Sequence, residues 1–412
     1  MAFSHNEKTK LVAGAVWNEI PYTKKAKSYM SNGELKGKKY GGHYKIYIAD
    51  PGHASEGIKF KDGEIDEINE IEVDVVLKNI KTGVTLDSWN DLNDIEDFTK
   101  EVAQVKGRML ARTLEQKVIE STVFTAQQAI VGAPTFANAT DAVALLDELS
   151  VDGDKVLFVN PTVGGKIGSS SLGAIHMDDV QKDIYRNRYL GKIGTAAEVE
   201  EPLMPTVDFT GASAAVVALP ALTPISTIDS QGSAVVTGYE GFNSIGAGLT
   251  PGWAFTVAGL KLKDLNGIAT EQDLVLIVGA DGKIPEVRID VIGAKDTATG
   301  ADLKPQGKNA NAWVDASFDP STATVAVLQD NGQPMTGKYR VAQVRDEQAL
   351  AFDTYEFNKI SGTDSARESF ENITVEFVTG GDVKNRENTT RLDIPYAAEI
   401  PEARRVALWY VK

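Results

Sequence analysis

The 412-residue chain is predicted to be an α+β protein built from several parts. Three observations carry that prediction: apolar and polar residues alternate along residues 43–80, a helical apolar stripe runs through residues 95–125, and short apolar runs at strand spacing fill residues 212–328. The length suggests two to three domains with room for a sizeable core. Hydrophobic residues at 42% and charged residues at 24% describe a globular chain rather than a disordered or fibrous one.

Residues 1–45 hold nine lysines and three acids, whereas residues 46–104 hold fifteen acids and five lysines. Adjacent blocks of opposite sign are either solvated faces or a basic arm of one chain lying on the acidic segment of another. In the second case Lys24, Lys25 and Lys27 are the arm's candidate contacts.

Residues 43–80 then read as a long two-stranded excursion. Tyr44, Ile46 and Ile48 alternate with Lys45 and Tyr47, and Ile71, Val73, Val75 and Leu77 alternate with Glu72, Asp74, Val76 and Lys78. A period of two marks half-buried strands. Asp62-Gly63 between them suits a tight turn, since glycine accepts positive φ. One face of this hairpin is apolar, and isolated hairpins are marginal in water. Its cover is expected on another molecule, with Asp62, Gly63, Ile71, Val73 and Val75 as candidate inter-subunit contacts.

A rod-like helix is predicted from about Ile95 to Thr125. Phe98, Val102, Val105 and Met109 are spaced four, three and four apart, and Leu110, Leu114 and Val118 continue the stripe. Asp91, Asp94, Glu96 and Asp97 load its N-terminal end, where the helix dipole favours negative charge. Gly107 inside it costs about 1 kcal/mol against alanine and signals close packing or a bend. At 1.5 Å per residue the rod would be about 45 Å long. A shorter helix is expected over about Thr140–Leu149, a buried strand over Lys155–Val159 stopped by Asn160-Pro161, and a further helix around Asp178–Tyr189. Pro202, Pro205, Pro220 and Pro224 mark loops and a change of texture.

Residues 212–328 read as all-β. The apolar runs Ala254–Val257, Leu274–Val278, Val287–Ile292 and Thr324–Leu328 recur there. Asp281-Gly282 is read as a hairpin turn joining two of them, and Asn331-Gly332 follows another. The last third returns to mixed structure, with strands at Ile373–Phe377 and Arg405–Val411.

Several chemistries find no support. The absence of cysteine removes disulfides, thiolate metal sites and cysteine nucleophiles. A net charge of −16 argues against a protein whose main task is gripping nucleic acid or an anionic membrane. No secretory signal is read at the N-terminus, and no run reaches the ~18 apolar residues of a membrane helix. Gly164-Gly165-Lys166-Ile167-Gly168 has glycines without the spacing of a phosphate-binding loop, and reads as a surface loop. His176 beside Asp178 and Asp179 has no second histidine near it, and His43 and His53 read as surface or turn residues. Asp87, Asp91, Asn93 and Asp94 lack the glycine and terminal glutamate of a calcium loop, and read as residues opening the long helix. No catalytic, cofactor-binding or metal residue is therefore assigned.

This order of parts resembles the major capsid (coat) proteins of tailed bacteriophages, and within them the short-tailed-phage, P-twenty-two-like subgroup with an inserted β-domain. Three stretches are similar to the family. Gly107-Arg-Met-Leu-Ala-Arg-Thr-Leu-Glu-Gln-Lys-Val118 resembles its spine helix, Val156-Leu-Phe-Val-Asn-Pro161 its axial-domain strand and turn, and Arg405-Val-Ala-Leu-Trp-Tyr410 its terminal strand.

The resemblance implies the tailed-phage capsid fold. Its parts would be an N-terminal arm at 1–35, an extended hairpin loop at 36–82, and the spine helix and peripheral domain at 83–135. An axial domain at 136–211, an inserted small β-barrel at 212–328 and a return to axial and peripheral domains at 329–412 would follow. The barrel matches in place and β character more than in residues, so its topology rests on analogy. The implied protein is not an enzyme and needs no cofactor. It is a structural shell subunit whose partners are copies of itself in hexamers and pentamers, together with scaffolding and portal proteins. It encloses double-stranded DNA without specific binding and touches no membrane. Its place is the virion, and the host cytoplasm during assembly. An encapsulin-like compartment shell is the alternative within the same fold. An acidic-site hydrolase is the alternative from another class, and it needs a convergent carboxylate pair for which the sequence offers no spacing.

Overall fold

In the computed structural model the described residues are 5–29, 41–49, 70–87, 103–171, 192–193, 197–215, 222–242, 249–284, 286–305, 310–356, 364–382 and 387–412. They form a mixed α+β structure, with strands numbered β1 to β23 and helices α1 to α5 along the chain. Two compact units emerge. One comprises Met1–Ile46, Val73–Glu120 and Leu350–Pro401; the other comprises Tyr47–Glu72, Ser121–Ala349 and Glu402–Lys412.

In the first unit, helix α1 (His5–Trp17) buries Thr9, Val12, Ala13 and Val16 and lies against β20 (Asp364–Phe370) and β21 (Ile373–Asp382). Helix α3 (Gln104–Thr122) is the described part of the predicted rod. Its nineteen residues span about 28 Å. The expected start near Ile95, with Phe98 and Val102, lies outside the described residues, and the helix ends three residues short of Thr125.

The expected stripe needs correction. Val105 and Met109 are 58% and 44% exposed, while Ala103, Leu110, Ala111, Leu114, Val118 and Ile119 are buried. Two overlapping stripes satisfy helical spacing, and the one containing Gly107 is buried because only there can α1 approach. A Cβ added to Gly107 would lie 2.8 Å from Ala15 Cβ.

A five-stranded sheet of the described residues belongs to this unit. β22 (Glu387–Glu399) is its spine, with β21 and then β20 on one side, β19 (Ala351–Thr354) further along that same side, and β3 (Lys78–Asp87) on the other. The expected strand Ile373–Phe377 is the first half of β21, where Phe377 faces Leu392. Asp87 closes β3, pairing with Glu387, rather than opening a helix. Asp91, Asn93 and Asp94 lie outside the described residues.

The alternating segment proves to be two strands. Among the described residues β2 (Glu70–Val76) pairs only with β1 (His43–Ala49), and β3 continues from Lys78 into the sheet on β22. Leu77 is the joint: its N–H donates to Gly42 O at 2.9 Å and its carbonyl accepts from Gly41 N at 2.9 Å.

The second unit holds two seven-stranded sheets. In the first, β23 (Val406–Val411) runs parallel to β4 (Gln128–Gly132) and antiparallel to β18 (Lys338–Asp346). β5 (Lys155–Phe158) follows on β18. All six residues of β23 are buried, as expected of a strand covered on both faces.

Helix α4 (Phe136–Glu148) packs on β23 and β18. It begins four residues before the expected Thr140, because the Thr135 side chain caps it by accepting from Asn138 N at 3.3 Å. The glycine-bearing segment 164–168, read as a loop, is helical within α5 (Pro161–Ser171). Proline at the first helical position is preset for helix, and the Asn160 side chain accepts from Thr162 N at 3.2 Å. The helix expected at Asp178–Tyr189 lies outside the described residues.

The second sheet is drawn from residues 223–327, in the order β12 (Ala269–Ile277), β11 (Ala254–Lys263), β14 (Ala312–Asp315), β13 (Val287–Ile292), β10 (Ala234–Phe242), β9 (Thr223–Ile228), with β15 (Val325–Val327) also on β11. Among the described residues its pairing is an open path with β12 and β9 at the ends. Pro224 sits in β9, an edge strand that tolerates a missing donor. Asp281-Gly282 does form a turn, with Gly282 at φ +78°, yet the strands it connects are not neighbours: β12 pairs with β11, and β13 with β10 and β14. Asn331-Gly332, both at positive φ (51° and 77°), forms the two-residue turn between β16 (Gln329–Asp330) and β17 (Gln333–Pro334).

Candidate assembly surface

The ribbon of β1 and β2 is a sheet of its own, and its burial is graded. Tyr44, Ile46 and Val75 are buried, whereas Ile48, Ile71 and Val73 are only half-buried. Val75 is wholly covered by its own chain, so of the expected apolar contacts Ile48, Ile71 and Val73 remain partly uncovered, while Tyr47 and Val76 are exposed. On the opposite faces Lys45, Glu70, Glu72 and Asp74 are exposed, as are His43 and Tyr47. Asp62, Gly63, His53 and His176 lie outside the described residues.

Of the arm lysines, Lys24 ends α2 (Pro21–Lys24), the four-residue helix that succeeds α1, and Lys25 and Lys27 follow it. Lys24 Nζ sits 5.4 Å from the centre of the Trp17 ring and Lys27 Nζ 5.1 Å from that of Tyr29, two cation–π contacts that bury stems and leave charge outward. Lys24 and Lys25 are half-buried and Lys27 is exposed.

Two buried acids that sequence reasoning missed hold this arm. Glu115 of α3 accepts from Tyr22 N at 2.5 Å, Thr23 N at 3.2 Å and Thr23 Oγ1 at 2.6 Å, so a carboxylate from a distant helix caps α2. Its only sequence signal is a charge on the apolar stripe, between Ala111 and Val118. Asp353 of β19 accepts from Ser28 Oγ, from Tyr29 N at 3.3 Å and from Tyr44 Oη at 3.2 Å. Burial pushes the Tyr44 hydroxyl well above its ordinary value, and the Asp353 carboxylate adds to the shift. The phenol therefore stays protonated as a donor.

An open groove between α1 and α3 is lined by Leu11, Gly14, Ala15, Ala103 and Phe370, with a volume of about 650 Å³. Of the acids at its rim, Glu19 is engaged by Arg108 at 3.2 Å. Among the described residues no group of three or more His, Asp or Glu side chains is placed to hold a metal ion. No helix among them is long and apolar enough to cross a membrane.

No family model matches the chain, and no curated protein matches it. Solved structures similar to it include a chain from the capsid of Ralstonia phage GP4, 8% identical with a TM-score of 0.43, covering 96% of this chain and 92% of that one. A chain from Mycobacterium phage Che8 is 10% identical with a TM-score of 0.40 and covers 93% and 92%. A chain from the holo-SrpI encapsulin complex of Synechococcus elongatus is 10% identical with a TM-score of 0.35 and covers 94% and 93%.

Proposed function

We propose that this chain is the major capsid subunit of a tailed phage, self-assembling into an icosahedral shell around double-stranded DNA. The observation that carries the reading is the β1–β2 ribbon, which pairs with no other strand among the described residues and keeps Ile48, Ile71 and Val73 half uncovered. A monomer gains little from such an element, whereas a neighbour that covers it gains apolar burial at roughly 25 cal/mol per Å². Heterologous contacts of this kind close into rings, as the hexamers and pentamers of a shell require. The net charge of −16 suits a container that holds DNA without adhering to it. The three similar sequence stretches support the family. The all-β segment 212–328 supports the subgroup with an inserted domain. In this reading scaffolding and portal proteins assist assembly, and residues 1–35 act as the arm.

The test is charge reversal of the arm. Lys24→Glu, Lys25→Glu and Lys27→Glu together should lower the yield of shells measured by sedimentation, more strongly at low salt, because exposed charges are screened beyond about 10 Å at 0.1 M. Wild-type yield at every salt concentration would refute the arm's role. Shells purified with an enzyme cargo inside would instead favour a cellular compartment.

A further inference from the structure

Donors from two separate stretches of chain converge on a single buried carboxylate. Asp353 is 5% exposed and accepts from Ser28 Oγ and Tyr29 N of the strap that follows α2, and from Tyr44 Oη at the base of the ribbon. Ser28 and Tyr29 stand 325 and 324 residues from Asp353 in sequence, and Tyr44 stands 309 away.

The strap's backbone also meets β19. One parallel bridge joins Lys27 to Ala351, with Lys27 N donating to Leu350 O at 2.9 Å and Phe352 N donating to Lys27 O at 3.0 Å. Bonds to a charged group are roughly twice as strong as neutral bonds of this kind. The carboxylate thus adds two polar ties to the strap's backbone bonds, and it is the same group that receives the ribbon's Tyr44. A carboxylate accepts at both oxygens and donates at neither, which suits three donors arriving together. An asparagine would turn an NH₂ toward at least one of them.

We propose that Asp353 is a shared latch, whose carboxylate fixes the N-terminal strap and the base of the β1–β2 ribbon in one arrangement, so that loosening either loosens the other. The inference concerns the isolated chain and does not depend on the shell reading. It makes the two elements that carry the candidate assembly contacts a coupled pair rather than two independent arms.

Amide hydrogen exchange on the full-length chain tests it, comparing wild type with Ser28→Ala, Tyr44→Phe and Asp353→Asn. The single-hydroxyl variants decide the matter even if Asp353→Asn fails to fold, since each leaves the carboxylate and two of its donors in place. The latch predicts a cross-response: Tyr44→Phe speeds exchange at residues 27–29, and Ser28→Ala speeds it at residues 41–46, each several-fold. Asp353→Asn, where folded, speeds both by about tenfold or more, as the loss of bonds to a charged acceptor implies. Responses confined to the mutated stretch, or no response in either, would overturn the proposal.

Discussion

A methyl group on Gly107 would meet Ala15 Cβ at 2.8 Å, well inside contact distance, so α1 and α3 touch here only because the side chain is missing. Alanine would add about 1 kcal/mol of helix propensity but overpack the crossing by about 1–3 kcal/mol. Gly107→Ala should therefore lower stability by about 1 kcal/mol in urea unfolding, and a stabilised variant would contradict the close crossing.

A second residue-scale case lies at Glu402, whose carboxylate takes Arg404 Nε at 2.9 Å and Nη2 at 3.1 Å, while Arg404 Nη1 donates to Asp264 O at 2.7 Å. Burial pushes the Glu402 carboxyl up, and the Arg404 guanidinium more than offsets this, so it lies below its ordinary value. The unfolded chain then binds this proton more readily. The pair's stabilisation is present above the ordinary carboxylate range, near pH 4.3, and is lost as pH falls through the folded value. Glu402→Gln should cost about 3 kcal/mol at pH 7, because Arg404 remains buried without its charge partner, and less at an acidic pH below the folded value of the carboxyl. An equal loss at both pH values would argue against the ion pair.

At this scale Gly107 was legible, since a glycine within a helical pattern calls for a packing reason. Asp353 was not, because its partners lie more than 300 residues away and nothing near it in sequence announces them.

Among the elements, the ribbon strands were legible from their period of two, and the first half of β21 and β23 from their apolar runs, whereas β22 was not read as a strand. The joint at Leu77 was hidden, because alternation runs unbroken through residues 71–78 while the backbone changes partner from β1 to β22. Periodicity also admitted two stripes on α3, and tertiary contact with α1 chose the one that leaves Val105 and Met109 exposed. In α5 the glycines argued for a loop, whereas Pro161 and the Asn160 side chain set a helix start that outweighed them. The prediction proper to this scale concerns the ribbon. Ile71→Asp with Val73→Asp places charge on half-buried positions of a sheet that pairs with nothing else described. It should leave thermal unfolding of the monomer nearly unchanged while lowering the assembled fraction at least tenfold by sedimentation. A large loss of monomer stability would show that the ribbon's apolar face is covered by its own chain.

For the whole molecule, composition and charge argue against whole classes of chemistry, and the order of parts along the sequence already suggests a shell subunit. Strand order was beyond reach. β4, β23, β18 and β5 are neighbours in one sheet although their positions in the chain run from residue 128 to residue 411, and local patterns carry no record of such pairing. A shell subunit of the proposed kind is completed by copies of itself. Electron microscopy of the concentrated wild-type protein, with an encapsulated scaffold supplied if assembly requires one, tests it most directly. Closed, uniform icosahedral particles are the expected result; a solution that stays monomeric at every concentration, with and without scaffold, would contradict it.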